Sequence, residues 1–147
     1  MKCSRLVCLF FFVTCSLVPC FAHHMAVVVN KESSVADVSS AHLAKMFLLE
    51  EKKWPDGKEI VLVLHRDSLG ENLTLEHLCG LSGKDLRSFI SAHKNSLMLV
   101  DSDEEVVRFV ESTPGSVGLV DVRSINDQVH ILRVGGKLPM EDGYLPH

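Results

Sequence analysis

The sequence has little with which to cross-link itself. Of its five cysteines, Cys3, Cys8, Cys15 and Cys20 fall near the start, and only Cys79 lies in the remainder. A chain processed beyond that start has no intrachain disulfide, so its fold must stand on an apolar core. There is one tryptophan and one tyrosine. The net charge is a mild −4 with both signs interspersed, which excludes the basic face of a nucleic-acid binder. The eight histidines have no metal-ligand spacing. No Gly-x-Ser-x-Gly elbow, Walker loop or zinc-protease helix occurs, nor any internal repeat or low-complexity tract. No cofactor is expected, and an enzyme is disfavoured. Cys79 and His77 stand two apart on an expected helix and point in different directions, so they form no nucleophile–base pair.

What is present begins with a leader. Lys2 and Arg5 supply a positive start, Leu6 to Val18 an apolar stretch, and Cys20-Phe21-Ala22 a cleavage site with small residues at its first and third positions. The reading is a signal peptide over 1–22 and one domain over 23–147, periplasmic or secreted and soluble after cleavage. Cys20 as a lipidated cysteine is the weaker reading, because Pro19 is a poor residue before one.

The remainder reads as alternating strands and helices. Ala26 to Asn30 and Ile60 to Leu64 are compact apolar runs suited to strands covered on both faces. Ser39 or Ser40 can cap a helix carrying Leu43, Met46 and Phe47, and Pro55-Asp56-Gly57 makes the turn before the Ile60 strand. A helix opens near Gly70 or Glu71 and stops at Gly80. Ser82 caps another through Leu86, Phe89 and Ile90. Leu97 to Val100 is a short strand. Ser102 to Glu105 is a capping box opening a helix that Thr113-Pro114-Gly115 ends. Ser116 to Val120 and Val129 to Val134 close the set as two strands. The class is α/β, a mainly parallel or mixed sheet with helices on both faces, mixed if the last strand runs antiparallel.

The stretch His65-Arg66-Asp67-Ser68-Leu69-Gly70 joins a strand end to a helix start. First-turn amides and the positive helix end suit an anion, and Arg66 adds a forked donor. Candidate anion ligands are Arg66, Ser68, Gly70 and Asn72, with Ser34 after the first strand and Ser116 at a later turn, if the fold brings these junctions together. Glu71 cuts the other way. A carboxylate in the first turn stabilises the helix by roughly 0.3–1 kcal/mol but repels an anion.

Leu43-Ala44-Lys45-Met46-Phe47-Leu48 with Lys52-Lys53-Trp54-Pro55-Asp56-Gly57 resembles the L-x-x-I-F-x-G-x-x-x-x-W-x-D-G segment of phosphate ABC transporter substrate-binding proteins. Ile60 to Arg66 is similar to that family's strand ending in arginine. Thr113 to Val120 resembles its T-P-G-A-I-G-Y-V, and Gly136 to Pro146 its G-K-x-P…Y-P-L ending. The resemblance implies one lobe of a type 2 periplasmic binding protein, and a phosphate or similar oxyanion as ligand in phosphate uptake or sensing. Arg66 transfers directly to the family arginine. Ser68 matches the family's serine only with a shortened loop, whereas without a gap Gly70 takes that place and Glu71 and Asn72 follow. Implied partners are a membrane transporter or sensor, and a second copy as a homodimer. The alternative is an interaction module that has lost its anion site and docks on a transporter, porin or sensor.

Overall fold

The computed structural model describes residues 24–146, so the leader lies outside the described residues. The chain runs β1 (Met25–Asn30), β2 (Asp37–Val38), α1 (Ser40–Phe47), β3 (Val61–His65), α2 (Leu69–Cys79), α3 (Gly83–Ala92) and β4 (Met98–Val100). It continues through α4 (Asp103–Ser112), β5 (Ser116–Asp121), a 3₁₀ turn (Val122–Ser124), β6 (Val129–Ile131) and β7 (Arg133–Val134). Five strands form one sheet in the order β4-β3-β5-β1-β6, while β2 and β7 form a small parallel pair.

The apolar runs explain this sheet. All six residues of β1 are buried, and alternate side chains go to opposite faces. Val27 and Val29 join Leu62, Leu64, Val117 and Leu119 beneath Leu43, Met46 and Phe47 of α1, Leu75 of α2 and Leu86 of α3. Val28, Val63 and Val120 pack on the other face under Val106, Val107 and Val110 of α4. Helices thus cover both faces, as the sequence predicts. Gly118 lets α4 sit close, because a Cβ there would lie 2.7 Å from Val106 Cγ1 and 2.9 Å from Val63 Cγ1.

Two expectations are corrected. β3 pairs in parallel with both β4 and β5, but β1 is antiparallel to both β5 and β6. The strand that makes the sheet mixed is therefore the first, not the last. The expected strand over Val129 to Val134 is two: Leu132 turns its fully buried side chain into the core and donates its N–H to Val27 O at 2.9 Å, so β6 serves the large sheet and β7 the small one. Tyr144 pins this junction, its hydroxyl donating to Leu132 O at 2.6 Å and accepting from Val27 N–H at 3.1 Å. Burial pushes the phenol up to about 12.

The caps follow the sequence with small shifts. Ser39, Ser82 and Ser102 cap α1, α3 and α4, and Ser68 caps α2, so that helix opens at Leu69, slightly before the expected start. In the Ser102 box, Glu105 reaches the N–H of Asp101 at 2.7 Å, one residue before the cap. Trp54 is buried, its Nε1–H donating to Gly115 O at 2.8 Å, so it packs under the turn into β5. Gly115 has φ +80°, and a Cβ there would collide with the Glu59 carbonyl oxygen. Gly115→Ala is expected to cost about 1–3 kcal/mol, read as a lower urea midpoint at unchanged slope.

Candidate functional site

One edge of the sheet gathers the ends of β3, β4 and β5 and the start of β1, since Met25 pairs with Asp121 and His65 with Val100. Here α2, α4 and the 3₁₀ turn begin, capped by Ser68, Ser102 and Asp121. Backbone donors at helix starts thus collect at the carboxyl ends of parallel strands.

Asp103, the first residue of α4, ties this edge together. Its Oδ1 lies 2.8 Å from His65 Nδ1, and its Oδ2 accepts from Asp121 N–H at 2.9 Å and from Ser124 Oγ at 3.3 Å. Arg123 grips Asp121 with Nε and Nη2, each 2.9 Å from a different carboxylate oxygen. The loop between β3 and α2 is tight: Ser68 N–H donates to His65 O at 3.3 Å and Arg66 N–H to Val100 O at 2.8 Å. Asp67 takes φ 58°, a left-handed conformation that aspartate tolerates better than most residues.

That loop separates two clefts. One, of about 240 Å³ between α2 and α3, is lined by Arg66, Asn72, Glu71, Glu76 and Arg87 over Leu64, Leu86, Ile90 and Leu99. The other, of about 530 Å³, is lined by Ser68, Leu69, Gly70, Asp103, Glu104, Asp121, Arg123 and Ser124. His65 and Asp67 border both. Arg66 is half exposed, its Nε 3.7 Å from Asp101 Oδ1 across solvent, so the guanidinium is only loosely held.

The six sequence-predicted ligands do not converge. Arg66, Ser68, Gly70 and Asn72 share this edge, with the first and last facing one cleft and the middle two the other. Ser34 follows β1 at the opposite end and donates to Asp56 at 3.1 Å. Ser116 pairs with Val61 at that same end, buried, its hydroxyl donating to Thr113 O at 2.6 Å. Because β1 runs antiparallel, the loop after it leaves from the edge remote from Arg66. Sequence reasoning did not find Arg87, Asp103 or Arg123, which arrive from α3, α4 and the 3₁₀ turn. The pattern marks Asp103 only as part of a capping box and gives no signal at Arg87 or Arg123.

Glu71 is the buried ionisable group of this edge, 1% exposed. Desolvation raises its carboxyl well above the ordinary range, the bond from His65 N–H opposes this, and the charge of Asp103 adds to it. Among the described residues no group of three His, Cys, Asp or Glu is arranged to hold a metal, and no helix is long and apolar enough to cross a membrane.

No family model matches the sequence, and no curated protein matches it. The fold matches solved structures. An ABC-type phosphate transport receptor from Vibrio cholerae superposes with TM-score 0.63 at 17% identity, over 79% of this chain and 48% of that one. PstS from Borrelia burgdorferi gives TM-score 0.60 at 20% identity, over 79% and 49%. A phosphate-binding protein from Stenotrophomonas maltophilia gives TM-score 0.62 at 16% identity, over 80% and 40%. The fold is that of one lobe of a phosphate substrate-binding protein. The chain spans about half the length of the receptors that the lobe matches.

Outside the edge, the described residues carry one thiol. Cys79 ends α2 half-buried, and burial with the charge of Glu50 pushes it up to about 11. At neutral pH its thiolate fraction is then about a hundredfold below that of a free cysteine. Alkylation by iodoacetamide, followed by mass spectrometry, is expected to be slower by a similar factor in the folded protein than after denaturation.

Proposed function

We propose that the chain is an exported, non-catalytic binding protein that takes an inorganic oxyanion, phosphate first among them, at the edge where β3 meets α2. The observation that carries this reading is the loop from Arg66 to Asn72. It puts a loosely held guanidinium and the opening amides of α2 at the carboxyl end of a parallel strand, in a fold whose solved neighbours are named phosphate receptors. The anion would sit in the cleft that Arg66 and Asn72 line, while Gly70 and the Ser68 cap face the other side of the loop. Ser34 and Ser116 have no part in this site.

Carboxylates at the rim favour phosphate over sulfate, because near neutral pH phosphate still carries a proton to donate and sulfate carries none. A lone lobe leaves the anion in water, where each charge-assisted bond is weakened, so capture by a single copy is weak and a partner or second copy completes the site. The reading places the protein in phosphate uptake or sensing beside a membrane transporter or sensor.

One observation favours a second reading. The larger cleft holds Asp103, Glu104 and Asp121, with Asp67 at its border, and the Ser68 hydroxyl is already used as a helix cap. In that reading the edge has lost its anion and docks on a transporter, porin or sensor. Calorimetric titration of the processed chain with phosphate and with sulfate separates the two. The first reading expects phosphate-selective heat that weakens about tenfold or more in Arg66→Ala, the loss of one charge-assisted contact. A well-folded protein giving no heat up to millimolar phosphate selects the docking module.

A further inference from the structure

Glu71 stands in the first turn of α2, beside Gly70, with its side chain closed off between β3 and α2. Its N–H donates to the Ser68 cap at 3.3 Å, and its Oε2 accepts from the His65 N–H at 3.1 Å. The residue therefore staples both ends of the loop that holds Arg66, its carboxyl at His65 and its backbone N–H at Ser68. Its other oxygen, Oε1, is buried with no hydrogen-bond partner among the described residues. The titratable and charged groups around it are His65, Arg66 and Asp67 at the strand end, Glu76 on its own helix, Arg87 lining the same cleft from α3, and Asp103 from α4. A buried carboxylate oxygen without a donor is unfavourable, whereas a neutral carboxyl leaves far less charge to desolvate.

We propose that Glu71 is a positioning residue that gates the oxyanion edge by its proton: neutral, it holds the loop and leaves the positive start of α2 open to an anion; ionised, it repels one. This inference rests on the oxyanion reading above. It also accounts for an acidic residue where a phosphate site needs none, since the acid is carried there uncharged. Burial and Asp103 favour the neutral form in the folded chain, while the unfolded chain ionises near about 4.3. The stability that Glu71 contributes is present below that value and is lost as pH rises through its raised folded value. Oxyanion affinity falls over the same climb. Linkage requires the converse, that a bound anion raises the Glu71 pKa and draws in a proton.

The test compares the processed wild-type chain with Glu71→Gln, which keeps the shape and the acceptor for His65. Phosphate is titrated calorimetrically from about pH 5 to about pH 9, a range that spans the values recorded for buried glutamates, in buffers of different ionisation enthalpy. Phosphate's own titration is common to both proteins and cancels in the comparison. The wild type is expected to lose about tenfold or more in affinity relative to Glu71→Gln as pH rises, and to take up additional protons on binding. Carbon-13 NMR of the wild-type Glu71 carboxyl, with and without phosphate, reads the same linkage without a variant, and its pKa is expected to rise when phosphate is bound. Parallel affinity profiles, or a Glu71 pKa unmoved by bound phosphate, overturn the gate while leaving the oxyanion reading intact. No phosphate binding by either protein at any pH overturns both.

Discussion

The structure depends on burying β1 on both faces while it lies between β5 and β6. A strand covered on both sides must be apolar throughout, and every residue from Met25 to Val29 is. Its one polar residue, Asn30, is spent at its end, where Nδ2 donates to the carbonyls of Val110 and Glu111 at 2.8 and 3.0 Å and so closes the last turn of α4. β1 thereby fixes the helix on one face by a polar bond at its tip and those on the other by Val27 and Val29. Its antiparallel course also decides which loops leave which edge, which is why Ser34 lies far from Arg66.

The candidate edge is a balance of charges. Helix starts and the arginines Arg66, Arg87 and Arg123 make it positive, while Asp67, Asp103, Glu104 and Asp121 make it negative. Several of these acids are already committed. Asp103 is engaged by His65, Asp121 N–H and Ser124, and Asp121 by Arg123. Their charge is partly matched within the protein, which leaves the loosely held Arg66 and the start of α2 as the less committed features of the rim.

Much of this was legible from residue patterns. The two apolar runs gave the central strands, since only burial on both faces explains uninterrupted Val and Leu. Ser39, Ser82 and Ser102 gave the starts of α1, α3 and α4, because a hydroxyl before an apolar period suits a cap, whereas Ser68 read as an anion ligand and its capping of α2 was missed. β2 was not legible, as two residues carry no period, and neither was the break at Leu132, because a residue that turns inward between two strands looks like one strand in sequence. The direction of β1 depends on which strands flank it, a matter of tertiary packing. At the site, the Arg66 loop could be read because strand, loop and helix are contiguous. Its division into two clefts could not, since Arg87, Asp103 and Arg123 join it from distant segments. Glu71 read as a first-turn carboxylate, and its burial became apparent only once β3 and α2 were packed together.

The two boundary strands of the large sheet, β4 and β6, are only three residues each. A sheet margin exposes unpaired N–H and C=O groups that invite another chain to add a strand, and long flat margins seed aggregation. Here each margin is cut short, on one side by the Ser102 cap that turns the chain into α4 and on the other by Leu132 diving into the core. Met98 and Ile131 are the exposed large apolar residues on these margins, with Leu99 and Val100 partly buried. With one cysteine among the described residues, the short margins rather than a cross-link limit strand addition by another chain, and the same breaks that shape the topology confer that resistance.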